Sequence, residues 1–452
     1  MLSLILLVLS SFFLFDYFYL LFLFVFCFLY VAGFFNCSYL VSYVYKFSSV
    51  CLTDYGYYFV LLVLLLFISL FVFGHFSFFL FLLLVLILFV FLQFFFSVNT
   101  LYMLLYFEFS FVVIYLLIVF WGYNPKRLES LSYFLIYSVC GSFPIFGVVS
   151  VFVYYVGSSF CFDCCSQLLL FTSFCLPSTY SLFCFFYSLV IVLGFFFKFP
   201  VWGFHSWLPK AHVEAPYYGS VLLAGLMVKL GLYGVLYFYS YFLYFSFSFS
   251  LLCWLVSYLG FSFIFSNLST VRQYDLKSYI AYSSIVHMGL VSISFWSGSV
   301  VSTLGSVILS ISHGLISSLL FIGSNFFYLC SGTRSLYINR GYLYFYSLFI
   351  FFWFLVLVFN SSVPFSFGFF SELSLFYSIV NFLFSNSFFI CFNLFFCGFY
   401  CIYLYMITSH GCSNVGLYTG FYSSFLLYLV FLFLVLFNFC FGFFLMFFVS
   451  LS

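Results

Sequence analysis

Four titratable residues stand inside long apolar runs: Glu108 in YFEFS, Lys198 in FFFKFP, Lys229 in GLMVKLGLYG and Glu372 in GFFSEL. An ionisable group in the middle of a bilayer costs at least about 2.5–3.5 kcal/mol, so such a residue reads first as functional. The competing reading is a lysine near a helix end that lifts its ammonium to the interface. Lys229 stands too far from either end of its run for that. Burial in general lowers a lysine pKa and raises a carboxyl pKa, while a Glu–Lys contact reverses both. An ion pair that forms and breaks therefore switches a lysine between holding and releasing a proton. Lysine suits that role, since arginine practically never gives up its proton. His205 and His212 flank the end of the Lys198 run, His287 and His313 lie in two later runs, and all four are relay candidates because imidazole titrates near neutral pH. His313, in SHGLISSLL among small polar neighbours, is the strongest of these. A packing histidine satisfied by hydrogen bonds is the competing reading, and it is preferred for His75 and His410 near run ends.

Two prolines interrupt the runs that carry these charges. Pro200 follows Lys198 by two residues, and Pro364 precedes Glu372 by eight in NSSVPFSFGFFSEL. A proline inside a helix removes a hydrogen bond and clashes with the preceding turn. The bared backbone groups are tolerated only beside protein or a wet cavity.

The runs themselves fix the fold class. Of 452 residues, 68% are hydrophobic and 4% charged, with 86 Phe and 42 Tyr. No water-soluble globule hides that much apolar surface. Runs such as FVLLVLLLFISLFVF do not alternate as barrel strands must, so an all-α polytopic membrane protein is expected. Spans are predicted at roughly 2–15, 17–35, 56–74, 76–96, 98–120, 131–155, 182–208, 216–240, 248–266, 277–296, 300–328, 343–378, 387–408 and 421–450. That is about 13–14 transmembrane helices, residues 2–35 counting as two short spans or one long tilted helix. The two interrupted spans are the seventh and the twelfth. Five is an odd offset, so two five-helix units would have opposite topologies, and matched breaks in inverted repeats mark ion-translocating folds. The expected organisation is N-terminal helices over 1–75, a first five-helix repeat over 76–240, a second over 248–408, and a final helix over 421–452.

Charge orients these spans. Lys126, Arg127, Lys210, Arg272, Lys277, Arg334 and Arg340 fall in alternate gaps that share one face, with only Lys46 opposite. The positive-inside rule puts that face in the matrix or cytoplasm. Lys210 and Glu214 read as loop charges there, with Pro209 and Pro216 bracketing the turn and Pro216 opening the next helix. The apolar N-terminus lacks a basic, Ser-rich leader, so no transit peptide is expected. Abundant Phe, Tyr and Cys with scarce Lys and Pro point to a T-rich organelle genome. Among 16 cysteines the densest group is CFDCC, Cys161 to Cys165, without a second CxxC or a nearby histidine. No metal site is expected there.

Several stretches resemble the antiporter-like membrane subunits of respiratory complex I. KFPVWGFHSWLPKAHVEAPYYGSVLLAGLMVKLG resembles the family's helix 7–8 signature. RQYDLKSYIAYSSIVHMGL and SHGLISSLLFIGSN are similar to its helices 10 and 11, and YFEFS with WGYNPKRLESLSYFLIY to helix 5 and the loop after it. The likeness covers roughly residues 100 to 375; the two ends match only in hydropathy, and the short first span and high Phe content depart from the pattern. The resemblance implies a proton-translocating subunit. Glu108 would be the helix-5 glutamate, Lys198 its partner lysine, and Lys229 the central lysine of helix 8. Glu372 would be the helix-12 acid on the exit side or facing the next subunit. His205, His212, His287 and His313 would lie on or near the central hydrophilic axis. It also implies other membrane-arm subunits and lipids as partners, with no nucleic acid, in the mitochondrial inner membrane.

The chain has no Rossmann or P-loop glycine pattern, no flavin site and no spaced cysteines for iron–sulfur clusters, so no cofactor is expected and any redox chemistry falls to partner chains. In the expected cycle Glu108 holds or frees Lys198, the signal reaches Lys229 through His313 and water, and Glu372 handles the proton at the far end. Two other readings compete. A self-standing cation/proton antiporter would share fold and charges. A structural membrane spacer would have no use for buried lysines. A channel would need a ring or filter of polar groups, and none is evident.

Overall fold

A computed structural model describes residues 54–451, apart from 74–75, 98, 123, 157–178, 239–248, 383–386 and 412–424. The expected spans at 2–15 and 17–35, His75 and the CFDCC cluster lie outside the described residues. The described residues form fourteen longer helices, besides a 3-10 turn at Tyr342–Tyr344: α1 (Asp54–Phe73), α2 (Phe78–Phe96), α3 (Thr100–Trp121), α4 (Arg127–Val156), α5 (Thr179–Lys198), α6 (Trp207–Glu214), α7 (Tyr217–Tyr237), α8 (Phe249–Val271), α9 (Leu276–Phe295), α10 (Val300–Ser331), α11 (Ser347–Asn360), α12 (Phe367–Phe382), α13 (Ser387–Ser409) and α14 (Phe425–Leu451). Taking α5 with α6 and α11 with α12 as broken spans, each of the twelve spans expected after residue 55 has its helix.

Both breaks exist, and each differs from a simple proline kink. α5 stops at Lys198, so Pro200 lies just past the helix end in a turn, and Gly203 takes φ +101° in the connecting loop. The second half, α6, runs on through Lys210 to Glu214, where a loop was expected. Pro209 is the third residue of α6, in a first turn whose N–H groups have no partner within the helix, so proline does not end it. Pro216 stands at the N-cap of α7, as expected. In the second break α11 ends at Asn360, and Ser362 (φ 57°) and Phe365 (φ 72°) both adopt left-handed backbone around Pro364. A left-handed phenylalanine is strained by about 1–3 kcal/mol, a cost borne only when surrounding packing fixes the path.

Burial sorts the helices. Windows in α7, α9 and α10 are 100%, 94% and 94% buried, against 28% in α13, so the first three form the centre and α13 the rim. These central helices carry Lys229, His287 and His313. The serines that crowd α10 beside His313 donate back to their own helix: Ser310, Ser312, Ser317 and Ser318 bond the carbonyls of Val307, Leu309, Gly314 and Leu315. Such back-bonding satisfies a hydroxyl inside an apolar bundle, and it leaves the titratable side chains to make the longer-range contacts. α4 bends the expected pattern in another way, running continuously for 30 residues with Pro144 inside it.

Candidate functional site

The helix-5 and helix-7 charges meet. Lys198, at the last residue of α5 and 1% exposed, donates to Glu108 Oε1 of α3 at 2.9 Å. Its ammonium also sits 3.0 Å from the centroid of Phe107 and 3.6 Å from that of Phe111, so ring faces take the place of water around it. Glu108 is 32% exposed, and it lies on a helix whose Leu105, Phe109 and Val112 also face outward.

Lys229 begins a second constellation. It sits on α7 just after a π-helical turn at Leu223–Met227, and it is fully buried. A π turn is rare and is most often found at functional positions. The lysine reaches back across it to donate to the carbonyl of Ala224, and its Nζ lies 2.9 Å from His313 Nδ1 on α10. His313 and His287 have ring centroids 5.5 Å apart. His287 on α9 places Nδ1 3.4 Å from Glu372 Oε1 on α12, within ion-pair range but not aligned as a hydrogen bond. Lys229, His313, His287 and Glu372 thus form a buried line drawn from four helices.

Close backbone approach brings the two groups near each other. A Cβ at Gly231 of α7 would stand 2.9 Å from the Phe199 amide nitrogen and 3.3 Å from the Lys198 carbonyl carbon. Only glycine lets α7 lie against the broken end of α5, two residues beyond Lys229.

Other expectations change. His313 was expected between Lys198 and Lys229, but its contacts are with Lys229 and His287, because α10 packs between α7 and the α9–α12 pair. Glu372 was expected at the exit or towards a neighbouring subunit; it is 3% exposed and turned inward, because α12 packs against α10 and α9. His205 stays in the first break, its Nδ1 accepting from the Gly203 amide at 3.2 Å and its ring stacked on Trp202. It does not join the line. His212 on α6 is fully buried and stacked at 4.7 Å on Phe321, with neither ring nitrogen hydrogen-bonded. His410 is exposed at the end of α13, against Tyr405.

Two of the charges assigned to the basic face are inside. Lys210, on α6 and not in a loop, keeps its side chain 40% exposed, 3.5 Å from Glu129. Lys277 does not: it is 2% exposed and donates to the Ala215 carbonyl at 2.8 Å, because the first turn of α9 is roofed by the end of α6. Glu214 is likewise buried, with Arg334 3.8 Å away and also donating to the Val213 carbonyl. The spacing of Lys210 and Glu214, four apart on one helical face, was the available signal; the flanking prolines argued for a loop instead. Among the described residues no group of three metal-ligating side chains converges.

The comparisons with known proteins come to the same place. Residues 97–397 match the family model for NADH:quinone oxidoreductase/Mrp antiporter transmembrane proteins. The chain is 37% identical to NADH-ubiquinone oxidoreductase chain 4 of Ceratitis capitata, over 72% of this chain and 70% of that one. It is 35% identical to the protein of the same name from Lumbricus terrestris, over 70% and 68%. The fold matches a chain of respiratory complex I from Thermus thermophilus with TM-score 0.77 at 19% identity, covering 87% of this chain and 81% of that one. The chain belongs to the NADH:quinone oxidoreductase/Mrp antiporter membrane family, on the branch of NADH-ubiquinone oxidoreductase chain 4.

Proposed function

We propose that this chain is a proton-translocating membrane subunit of NADH:ubiquinone oxidoreductase, in the mitochondrial inner membrane and organelle-encoded. One observation carries the reading: Lys229, His313, His287 and Glu372 make a buried line of titratable groups from the central helices α7, α10 and α9 to α12 of a membrane protein. A spacer gains nothing from such a line, since burying each group costs several kcal/mol. Two five-helix units of opposite topology, over 76–240 and 248–408, give the two breaks a common origin. The 1–75 segment and the 421–452 helix flank them.

In the proposed cycle Glu108 holds or releases Lys198, and the change acts on Lys229 across the Gly231 contact. Lys229 passes a proton to His313, and His287 with Glu372 completes the transfer. No cofactor in this chain is required; NADH oxidation belongs to partner subunits. Moving each charge against the potential costs about 2.3 kcal/mol per 100 mV, so the drive comes from those partners. The outward exposure of Glu108 amid an apolar stripe supports a neighbouring membrane-arm subunit over that carboxylate, because lipid tails would not solvate it. Other parts of the outer face contact lipid, and no nucleic acid is involved.

Native electrophoresis of gently solubilised membranes, with mass spectrometry to find the chain, tests this. Migration with NADH-oxidising activity in a very large assembly is expected. Migration alone or in a small complex without that activity would favour a self-standing antiporter.

A further inference from the structure

His287 has a second neighbour that the line above does not use. Its Nε2 lies 3.4 Å from the hydroxyl of Tyr400 on α13. That hydroxyl is in turn 3.1 Å from Cys397 Sγ, and the Cys397 thiol donates to the carbonyl of Asn360 at 3.6 Å. Asn360 is the last residue of α11, at the second helix break, and its side-chain amide donates to Cys401 Sγ at 3.4 Å. Tyr279 of α9 donates to the Tyr400 carbonyl at 2.7 Å and ties α13 to α9 at this level. His287, Tyr400, Cys397 and Asn360 are each less than 5% exposed.

We propose that Tyr400 is a positioning residue for proton transfer at His287, its hydroxyl turning between His287 Nε2 and Cys397 Sγ. The reasoning is one of satisfied partners. A buried relay imidazole must change its protons without stranding a nitrogen, since each stranded polar group is costly. When Nε2 is bare, the Tyr400 O–H donates to it. When Nε2 carries a proton, that N–H donates to the Tyr400 oxygen, and the Tyr400 O–H swings to the Cys397 sulfur. The sulfur is free to accept in that state because its own proton rests on the Asn360 carbonyl. His287 therefore finds a partner at Nε2 in both neutral tautomers and as the imidazolium. Nε2 takes its proton from the His313 side of the line, the two rings standing 5.5 Å apart between centroids, and Nδ1 passes one to Glu372 Oε1; the Tyr400 proton never leaves its oxygen. A phenol suits this task because it both donates and accepts through one rotating bond. A buried thiol is a weak donor and acceptor, so it offers a second seat without holding the hydroxyl permanently. The same contacts join His287 to the end of α11, so a shift at the second break reaches the relay through Cys397.

The inference rests on the translocation reading, and the experiment separates the two. Proton movement per NADH oxidised is measured in the assembled complex in closed membranes. The parent is compared with Tyr400→Phe, Cys397→Ala, Cys397→Ser and Lys229→Met, with Cys391→Ser, an exposed cysteine of the same helix, as control. Tyr400→Phe is expected to slow the His287 step about tenfold, as for one stranded buried polar group, and so to lower the proton-to-NADH ratio. Cys397→Ala is expected to lower it too, whereas Cys397→Ser keeps a seat for the hydroxyl and restores it. Should Tyr400→Phe fail to assemble, the Ala–Ser pair still decides. A parental ratio in Tyr400→Phe, or equal ratios in Cys397→Ala and Cys397→Ser, overturns the proposal. If Lys229→Met also keeps the parental ratio, the translocation reading itself has failed; if only Lys229→Met loses it, the hydroxyl switch alone is wrong.

Discussion

Replacing Lys229 by methionine separates structure from proton transfer most cleanly. Methionine keeps most of the unbranched stem, so the packing around α7 survives. What is lost is the contact with His313 Nδ1 at 2.9 Å and the bond to the Ala224 carbonyl. Stranding those two partners costs about 1–3 kcal/mol each. Against this, a fully buried amine no longer has to be kept out of water, a saving of several kcal/mol. The two effects are of similar size and opposite sign, so the chain is expected to fold and assemble. Transfer behaves differently. With no titratable group at this point, a proton must cross the gap unaided. A barrier raised by about 4 kcal/mol slows the step about a thousandfold, beyond useful turnover. The assay is proton uptake in closed membranes, normalised to NADH oxidation and to assembled complex. A reduced ratio with normal assembly is expected. Lys229→Arg provides the sharper control: it keeps the charge but cannot release a proton, and is expected to fail as well. An unchanged ratio in Lys229→Met, with assembly confirmed, refutes the scheme at its centre.

Glu108→Gln leaves Lys198 buried without its counter-charge; breaking a fully buried pair costs about 3–5 kcal/mol, and less here because Glu108 is partly exposed and two rings face the ammonium. Lowered proton uptake is expected, and restored assembly but not restored uptake in the Glu108→Gln/Lys198→Met double variant. Gly231→Ala forces a methyl group to 2.9 Å from the Phe199 amide, and is expected to destabilise by about 1–3 kcal/mol, read as a lower Tm of the purified assembly. Phe365→Gly relieves a left-handed phenylalanine and is expected to raise resistance to thermal dissociation, or to leave it unchanged if the ring's own packing compensates. Glu214→Gln removes the ion-pair partner of Arg334 beside the roof over Lys277, and a modestly lower Tm of the purified assembly is expected.

How much of this was legible in the sequence depended on chemistry rather than effort. Charges in apolar runs announce themselves because hydrocarbon penalises them, so Glu108, Lys198, Lys229 and Glu372 stood out without any structure. The two breaks were legible for a related reason: proline disfavours a helix interior, although Pro144 inside the continuous α4 shows that it does not always end one. What a helix end looks like is less legible. Pro209 lies inside a short helix and Pro216 caps the next, and the same prolines could equally have enclosed a turn. Rotational setting was not legible at all. Whether Glu372 faces inward depends on how α12 packs against α9 and α10, and a run of Phe, Ser and Leu has no face sharp enough to say so. Lys277 looked like a surface charge because it follows a loop, yet the end of α6 covers it. Tyr400 and Cys397 carried no signal, being two ordinary residues of an apolar helix.

The distribution of exposure along the line has its own consequence. Lys198, Lys229, His313, His287 and Glu372 are all nearly or fully buried, while Glu108 alone keeps 32% of its side chain open. In a low-dielectric interior a buried charge feels its neighbours strongly, and an exposed one is screened. Glu108 is therefore the one carboxylate of the line whose charge balance a neighbouring protein can alter directly. Covering it with a positive group would weaken its hold on Lys198; covering it with an apolar surface would strengthen that hold. In the proposed cycle control would be applied at the α3 face and the work done inside, where Lys229 and its partners are buried. A substitution that covers the α3 face, such as Val112→Trp at the 51% exposed position one turn from Glu108, is expected to change proton coupling while every group of the line remains in place. Equal coupling in that variant, with normal assembly, would show that the α3 face is not where the drive is received.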